Sequence, residues 1–141
     1  MSAQEYLDEI EEMRTRIGLL KAELDVMMES INLLPGVSYD GVKIQTTSTD
    51  SKVIQMVIRC SDKRRVLLDE IEKYEQAAEE RVRAIKALSD PKHIEVLTLR
   101  YIRMLYFWEV AREMSTSESN IYRWHREALA ELEAKMKEDE E

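Results

Sequence analysis

The sequence predicts an all-α protein, with a long antiparallel two-helix coiled-coil stalk followed by a C-terminal three-helix helix-turn-helix domain. Composition is the first reason: 35 % of residues are charged and 6 % aromatic, with Gly 3 and Pro 2, as in coiled coils and long helices. The second is an apolar spacing that alternates between 4 and 3 residues over two long stretches, which is typical of a coiled-coil seam. The third is a run of three short amphipathic segments after residue 90.

The first helix is predicted from about Gln4 to Leu34, because its apolar stripe is unbroken. The stripe consists of Tyr6, Ile10, Met13, Ile17, Leu20, Leu24, Met27, Ile31 and Leu34. Gly18 lies off this stripe, and we expect it to cost the helix about 1 kcal/mol relative to alanine. Pro35-Gly36 should end the helix, as a proline just beyond the last periodic residue does.

A loop is predicted over about residues 35–50. Asp40-Gly41 stands between two short alternating runs, so a small hairpin with a two-residue turn is one interpretation. An isolated hairpin is marginal in water, and we therefore favour an irregular loop. Thr49-Asp50-Ser51 has the composition of a cap for the next helix.

The second long helix is predicted from Ser51 to Leu88, with a less regular stripe. The stripe consists of Val53, Val57, Cys60, Arg64, Leu67, Ile71, Tyr74, Ala78, Arg81, Ile85 and Leu88. Two arginines occupy it, so we expect this seam to be weaker or locally shifted, with Val82 in place of Arg81. Stripes this narrow must pair with each other or with another chain. The sequence leaves both pairings open, including a homo-oligomer through the coiled coil.

The predicted domains are the helical hairpin at 1–89, the helix-turn-helix domain at 90–137 and an acidic tail at 138–141. Asp90 is a suitable N-cap, and Pro91 suits the first helical position. The three predicted helices run over residues 91–104, 107–114 and from the Ser117 cap to about residue 137. Their expected inward residues are Ile94, Leu97, Thr98, Tyr101, Ile102, Trp108 in part, Val110, Ala111, Met114, Ile121, Trp124, Ala128 and Leu132.

Charge and composition exclude several classes of protein. The net charge is −8, but residues 90–130 are neutral, so we expect weak intrinsic DNA affinity that a partner or dimerisation improves. The acidic amino end and the lack of a long apolar run predict no export signal and no membrane contact. With Cys60 as the single cysteine, we expect a reducing cytoplasmic location. No phosphate loop, metal-ligand spacing or nucleophile–base pair is present in the sequence, so we expect no enzyme activity, no metal and no cofactor.

The start of the last helix has the pattern of a DNA-reading surface. A helix, a turn of three or four residues and a second helix with a polar face form the motif that enters the major groove. Arg123 can bind guanine and Asn120 can pair with adenine, while Ser119 also faces outward near the helix start. The residues expected to contact phosphates are Thr116, Ser117, Tyr122 and Arg126. The free backbone amides of the helix start add an anion site.

Simpler interpretations stand beside this one. An outward arginine is usually only solvated, and Ser117 also fits a plain helix cap. Tyr101 and Trp124 fit core positions better than stacking platforms. His93 and His125 fit surface or flanking positions, since nothing places a second ligand at metal spacing.

The C-terminal run resembles the helix-turn-helix of sigma-70 region-4 domains. The matching residues are Leu99-Arg100-Tyr101, Glu109-Val110-Ala111, Ser117 and Ala128-Leu129. The order of heptad helix, Ser/Thr loop, second long helix and LSDPKHIEVLTLRYI also resembles the small phage regulators of Gram-positive bacteria of the ArpU- and RinA-like type. One departure is Ser115, at a turn position that glycine often fills; a positive φ there would cost about 1 kcal/mol.

The resemblance implies a DNA-binding transcriptional regulator of phage late genes, with double-stranded DNA and bacterial RNA polymerase as expected partners. By motif position, it implies DNA contacts by Ser117, Ser119, Asn120, Arg123 and Arg126. Two other functions stay open. One is a coiled-coil structural or interaction protein, and the other is a packaging protein like the small terminase subunits of phages.

Overall fold

The protein is all-α, as predicted, in a computed structural model that describes residues 1–32, 37–38, 43–44 and 51–140. Its helices are α1 (Ala3–Asn32), α2 (Ser51–Lys86), α3 (Pro91–Leu97), a π-helix (Thr98–Ile102), α4 (Phe107–Glu113) and α5 (Glu118–Glu140). The predicted end of α5 near residue 137 was three residues short. In the described part of the chain, no helix is both long and apolar enough to cross a membrane.

Two short strands interrupt the connection between α1 and α2. Strand β1 (Val37–Ser38) pairs antiparallel with β2 (Lys43–Ile44), with Val37 opposite Ile44. The preference for an irregular loop was therefore wrong at these four residues. The register is the one that a turn at residues 40–41 requires, although that turn, the predicted cap at 49–50 and the helix end at 33–36 lie outside the described residues.

Local capping explains where two of the helices begin. Ahead of α1, the Ser2 hydroxyl accepts a hydrogen bond from the Glu5 amide at 3.1 Å, and the Glu5 carboxylate accepts one from the Ser2 amide at 3.2 Å. This reciprocal pair satisfies two amides that have no partner within the helix. At α3, the Asp90 carboxylate accepts from the Lys92 amide at 2.9 Å and Pro91 follows directly, as the sequence predicts.

The chain divides into two compact units. The head unit consists of Met1–Arg14 together with the chain from Glu75 onward, and the hairpin unit is Thr15–Tyr74. This division differs from the predicted boundary after residue 89, because the ends of both long helices pack with the C-terminal helices. The first core cluster makes this visible; its buried members are Ala3, Leu7, Ile10, Ile85, Leu88, Leu97, Tyr101, Ala128 and Leu132.

A second core cluster holds the C-terminal helices to one another. It consists of Val96, Leu99, Val110, Ala111 and Ile121, all buried. The segment from α3 through the π-helix contributes to both clusters, since Leu97 and Tyr101 belong to the first. This segment therefore joins the packing of the long helices to the packing of α4 and α5.

The π-helix replaces the last turns of the helix predicted over residues 91–104. The Arg103 amide donates to the Thr98 carbonyl at 3.0 Å, five residues back, and the Leu105 amide donates to the Leu99 carbonyl at 3.1 Å. Met104 then adopts a left-handed φ of 59°. The wider turn rotates the following side chains relative to an α-helix, so neighbouring residues can face the two clusters.

Arg81 keeps its place in the apolar stripe of α2 and is buried, contrary to the suggestion that Val82 replaces it. Its guanidinium donates to the Tyr6 carbonyl at 3.0 Å and to the Ala77 carbonyl at 2.9 Å, and it forms an ion pair with Glu9. The group also lies 4.3 Å from the centre of the Tyr6 ring. An arginine is tolerated in this position because its donors are satisfied there.

The hairpin unit is less well covered. Along α1, the stripe residues from Ile17 to Met27 are only half-buried. Lys63 pairs with Glu23 at 3.2 Å. Arg16 of α1 and Tyr74 of α2 line one groove. Between these two contacts the residue number rises along α1, from 16 to 23, and falls along α2, from 74 to 63. The two helices are therefore antiparallel.

Candidate nucleic-acid interface

The turn between α4 and α5 comprises residues 114–117. The Ser115 amide donates to the Arg112 carbonyl at 3.2 Å, and the Thr116 amide donates to the Ala111 carbonyl at 3.0 Å. Ser115 has a φ of 52°, in the left-handed region that glycine adopts most easily, so a side chain here costs about 1 kcal/mol relative to glycine. The turn connects α4 to α5 in four residues.

Ser117 caps the start of α5. Its hydroxyl accepts a hydrogen bond from the Asn120 amide at 3.2 Å, which satisfies one of the unpaired amides of the first turn. Ser117 is itself exposed. Its predicted role as a cap is confirmed, while its predicted phosphate contact stays a prediction.

The side chain of Asn120 is already engaged. Its Nδ2 donates to Thr116 Oγ1 at 2.9 Å, and the residue is half-buried. The amide keeps a second N–H and its carbonyl oxygen, so it can still offer one donor and one acceptor to a base edge. The contact also restrains Thr116, whose hydroxyl proton remains able to donate.

Three of the predicted contact residues form the open face of α5. Ser119, Arg123 and Arg126 are exposed. The opposite face is formed by Ile121 and Ala128, which are fully buried. Two arginines three residues apart therefore project from the same side of a helix whose other side is fixed in the core.

Tyr122 lies at the edge of this face. Its ring is 48 % exposed and packs at a tilt on Phe107, with the ring centroids 4.8 Å apart. Phe107 is half-buried next to the second core cluster. This packing makes the half-exposed ring a link between α4 and α5.

Arg112 of α4 was missed by the sequence interpretation. It is exposed, and its guanidinium lies 5.7 Å from the indole ring of Trp108, which is 52 % exposed and so buried only in part, as predicted. The helical period contained the signal. Because Val110 and Ala111 face inward, residues 108 and 112, four apart, must share the outer face.

A buried aromatic group supports α5 from beneath. The Tyr101 hydroxyl and His125 Nε2 lie 2.8 Å apart, and the Phe107 ring meets the His125 ring edge-on at 5.0 Å. Burial, together with the nearby Arg100 guanidinium, lowers the pKa of His125 to about 4. Burial raises the pKa of Tyr101 to about 12, with Asp8 adding to the effect. His125 is therefore neutral near pH 7 and half-buried, which fits the flanking position among the two that were expected and excludes the surface one.

His93 is also mostly covered, with 12 % of its side chain exposed. Its Nε2 lies 3.6 Å from Asp90 and 3.5 Å from Glu127, and its Nδ1 lies 3.6 Å from Glu131. These distances are ion-pair distances rather than metal–ligand distances. Among the described residues, no group of three or more acidic, histidine or cysteine side chains is arranged to hold a metal ion.

Acidic groups border the exposed arginines. Glu118 lies in the first turn of α5 and is exposed. Its negative charge interacts favourably with the positive end of the helix dipole, but the same charge would repel the negative backbone of a nucleic acid. Glu127 is next to Arg126 and near His93. The face is thus polar and charged without being strongly basic.

The DUF1492 family of proteins of unknown function has a family model that matches residues 45–133. The chain belongs to this family. The DUF1492 match covers α2, α3, the π-helix, α4 and most of α5, so it includes the turn and the open face of α5. No curated protein and no solved structure matches the chain.

Proposed function

We propose that the protein is a sequence-specific DNA-binding transcriptional regulator that inserts the amino-terminal half of α5 into the major groove. The observation that carries this proposal is the exposed face of Ser119, Arg123 and Arg126 on a helix whose opposite side is buried. A helix held in this way can present side chains to base edges without losing its own packing.

The turn geometry adds support. Residues 114–117 connect two helices within the three-to-four-residue length of the helix-turn-helix motif, and Ala111 is buried where α4 packs on α5. A small residue at this position lets the helices approach closely. Together with the likeness to sigma-70 region 4, this supports a helix-turn-helix unit in the head.

Each candidate residue receives a definite role. Arg123 reads a guanine, and Asn120 reads a base edge with the groups that its bond to Thr116 leaves available. Thr116, Ser117, Tyr122 and Arg126 hold phosphates, and Ser119 contacts the groove edge. We include Arg112 of α4 as an additional phosphate contact, because it is exposed on the outer face of α4.

The wider assignment is a regulator of the ArpU- and RinA-like phage type, acting in the cytoplasm and in contact with bacterial RNA polymerase. The neutral charge of residues 90–130 fits a protein that binds weakly alone and gains affinity from a partner or from dimerisation. Contact with polymerase and binding of a second copy of the chain would each increase the affinity for DNA.

The test begins with selection of duplex sites from a random library by the full chain. Affinity for the selected site and for a scrambled site is then measured by fluorescence anisotropy over a range of salt concentrations. Arg123→Ala should bring the two affinities close together, with a loss of about 1 to 3 kcal/mol at the selected site. Arg126→Ala should weaken both sites alike and reduce the salt slope by about 1.

Arg83→Ala is the matched control, since Arg83 is an exposed helical arginine on α2 with a long contact to Glu79 at 3.9 Å. It should bind as the unaltered protein does. If selection enriches no sequence, or if Arg123→Ala and Arg83→Ala behave alike, the proposal is wrong. The coiled-coil interaction protein then becomes the better account.

A further inference from the structure

One side of the hairpin unit carries four large apolar side chains that are open to solvent. They are Leu19 at 64 % exposure and Val26 at 63 % on α1, with Met56 at 48 % and Val66 at 57 % on α2. Soluble monomers rarely expose one contiguous apolar patch larger than a few hundred Å². Four such side chains on one surface therefore call for an explanation, whereas isolated ones would not.

Helical spacing places these residues on the same side of the hairpin. On α1, Leu19 is three residues from Arg16 and four from Glu23; on α2, Val66 is three residues from Lys63, so each set shares a flank. The two flanks meet, because Glu23 and Lys63 form an ion pair at 3.2 Å. A shallow groove between the helices confirms the geometry, since Leu19 and Glu70 both line it.

We call this surface the Leu19 face. It comprises Leu19, Val26, Met56 and Val66, together with the charged residues Arg16, Glu23, Arg59, Lys63 and Glu70. Two other exposed apolar residues, Ile58 and Leu68, belong to the opposite side of the hairpin, since each is turned by more than a third of a revolution from Lys63.

The unit is poorly covered on the Leu19 face. Its buried apolar residues within the described chain are Ile31, Leu67 and Ile71, and the stripe residues Leu20 and Tyr74 are open to the groove. Two helices bury only one side of each other's stripe, so a further layer is needed to cover the rest.

We propose that the Leu19 face is the dimerisation surface of the protein, on which the hairpin unit of a second copy docks to form a four-helix arrangement. A second copy fits the charge of the face, which carries both signs: the acidic Glu23 and Glu70 lie among the basic Arg16, Arg59 and Lys63. A two-fold axis can then place the anions of one copy against the cations of the other.

The size of the surface also fits a second copy. At 1.5 Å per residue, residues 52–74 of α2 span about 34 Å, and two helices side by side are about 20 Å wide. The face therefore covers roughly 700 Å² on each copy, close to the about 800 Å² per partner of a stable interface. The hairpin of another copy has the matching length and the matching apolar stripe.

Sedimentation equilibrium of the full chain tests the proposal at micromolar concentration. The unaltered protein should have twice the monomer mass of 16.6 kDa. The double variant Leu19→Glu/Val26→Glu should be monomeric, with the dimer dissociation constant raised at least about tenfold. Far-UV circular dichroism should show unchanged helix content, because both side chains are already exposed.

The matched control is Ile58→Glu/Leu68→Glu, which adds the same charges on the opposite side of the hairpin and should remain a dimer. If Leu19→Glu/Val26→Glu loses helix content, Leu19→Gln/Val26→Gln replaces it, because glutamine is a good helix former and adds no charge. A monomeric unaltered protein, or equal weakening by the control, overturns the proposal. The experiment contains no DNA, so its result is independent of the proposed function.

Discussion

Tyr101 Oη and His125 Nε2 lie 2.8 Å apart, which ties the π-helix to the middle of α5. Together with the buried Ile121 and Ala128, the contact helps to fix the rotation of α5 about its own axis. The rotation decides which residues point outward, so the pair contributes to how Arg123 and Arg126 are presented. We therefore expect this pair to influence both stability and the geometry of the open face.

The first prediction concerns acid pH. The pKa of His125 is lowered from 6.5 to about 4 by burial and by Arg100. The unfolded chain therefore binds a proton between these pH values when the folded chain does not. Stability from this site is fully present above pH 6.5 and is lost as the pH falls towards 4, by about 1 to 2 kcal/mol after allowance for partial exposure.

Urea unfolding at pH 7 and at pH 4.5 measures this loss. His125→Gln, which cannot take up a proton, should lose less stability between the two pH values than the unaltered protein does. Equal losses in both proteins would show that His125 does not cause the acid sensitivity. The carboxylates contribute equally to both proteins and cancel in the comparison.

Arg81 provides a prediction about the head unit. Arg81→Met should lower the free energy of unfolding by about 2 kcal/mol, because it leaves the Glu9 carboxylate and the Tyr6 carbonyl without their donor. Adding Glu9→Gln should restore part of that loss. Thermal unfolding of the two single variants and the double variant gives the coupling; additive losses would mean that the ion pair contributes nothing.

Gly18 offers a stabilising change. Apart from the adjoining backbone of α1, no atom lies within 4 Å of the position that a Cβ would take, so Gly18→Ala should raise the free energy of unfolding by about 1 kcal/mol. The reverse substitution at the exposed Ala22, Ala22→Gly, should lower it by a similar amount. A Gly18→Ala protein no more stable than the original would indicate that α1 is bent or strained at this residue.

Glu118 is expected to limit DNA affinity under the proposed function. Glu118→Gln removes a negative charge from the start of α5 and should strengthen binding to any duplex by about threefold at low salt. Glu138→Gln, near the other end of the helix, should have no effect. Anisotropy titrations compare the two, and an equal gain from both would assign the effect to overall charge.

The sequence was sufficient for the long helices because their apolar stripes are regular. Every described stripe residue is at least half-buried, from Tyr6 to Ile31 on α1 and from Val53 to Leu88 on α2. The caps at Asp90 and Ser117 were also predicted correctly. These features depend on local chemistry, which neighbouring residues determine.

Other features depended on packing between distant parts of the chain. The π-helix was not predicted, because a stripe with a period of 3.6 residues carries no sign of bonds that span five residues. In the sequence, Arg81 interrupts the apolar stripe of α2, and only the fold brings its partners, Glu9 and the Tyr6 carbonyl, beside it. At the candidate interface, the outward residues followed from the wheel of α5, whereas the bond from Asn120 to Thr116 required atomic positions.

The first core cluster includes both Leu7 and Leu132, so it draws on the two ends of the described chain. During synthesis on the ribosome, this cluster cannot close until the residues of α5 have emerged. Until then, α1 and α2 carry uncovered apolar stripes, which chaperones or another nascent chain can bind. A fragment cut before α3 would keep that exposure permanently, and one that begins at α3 would lack Leu7, Ile10 and Ile85. We therefore expect the C-terminal helices to need the start of α1 and the end of α2 for their full packing.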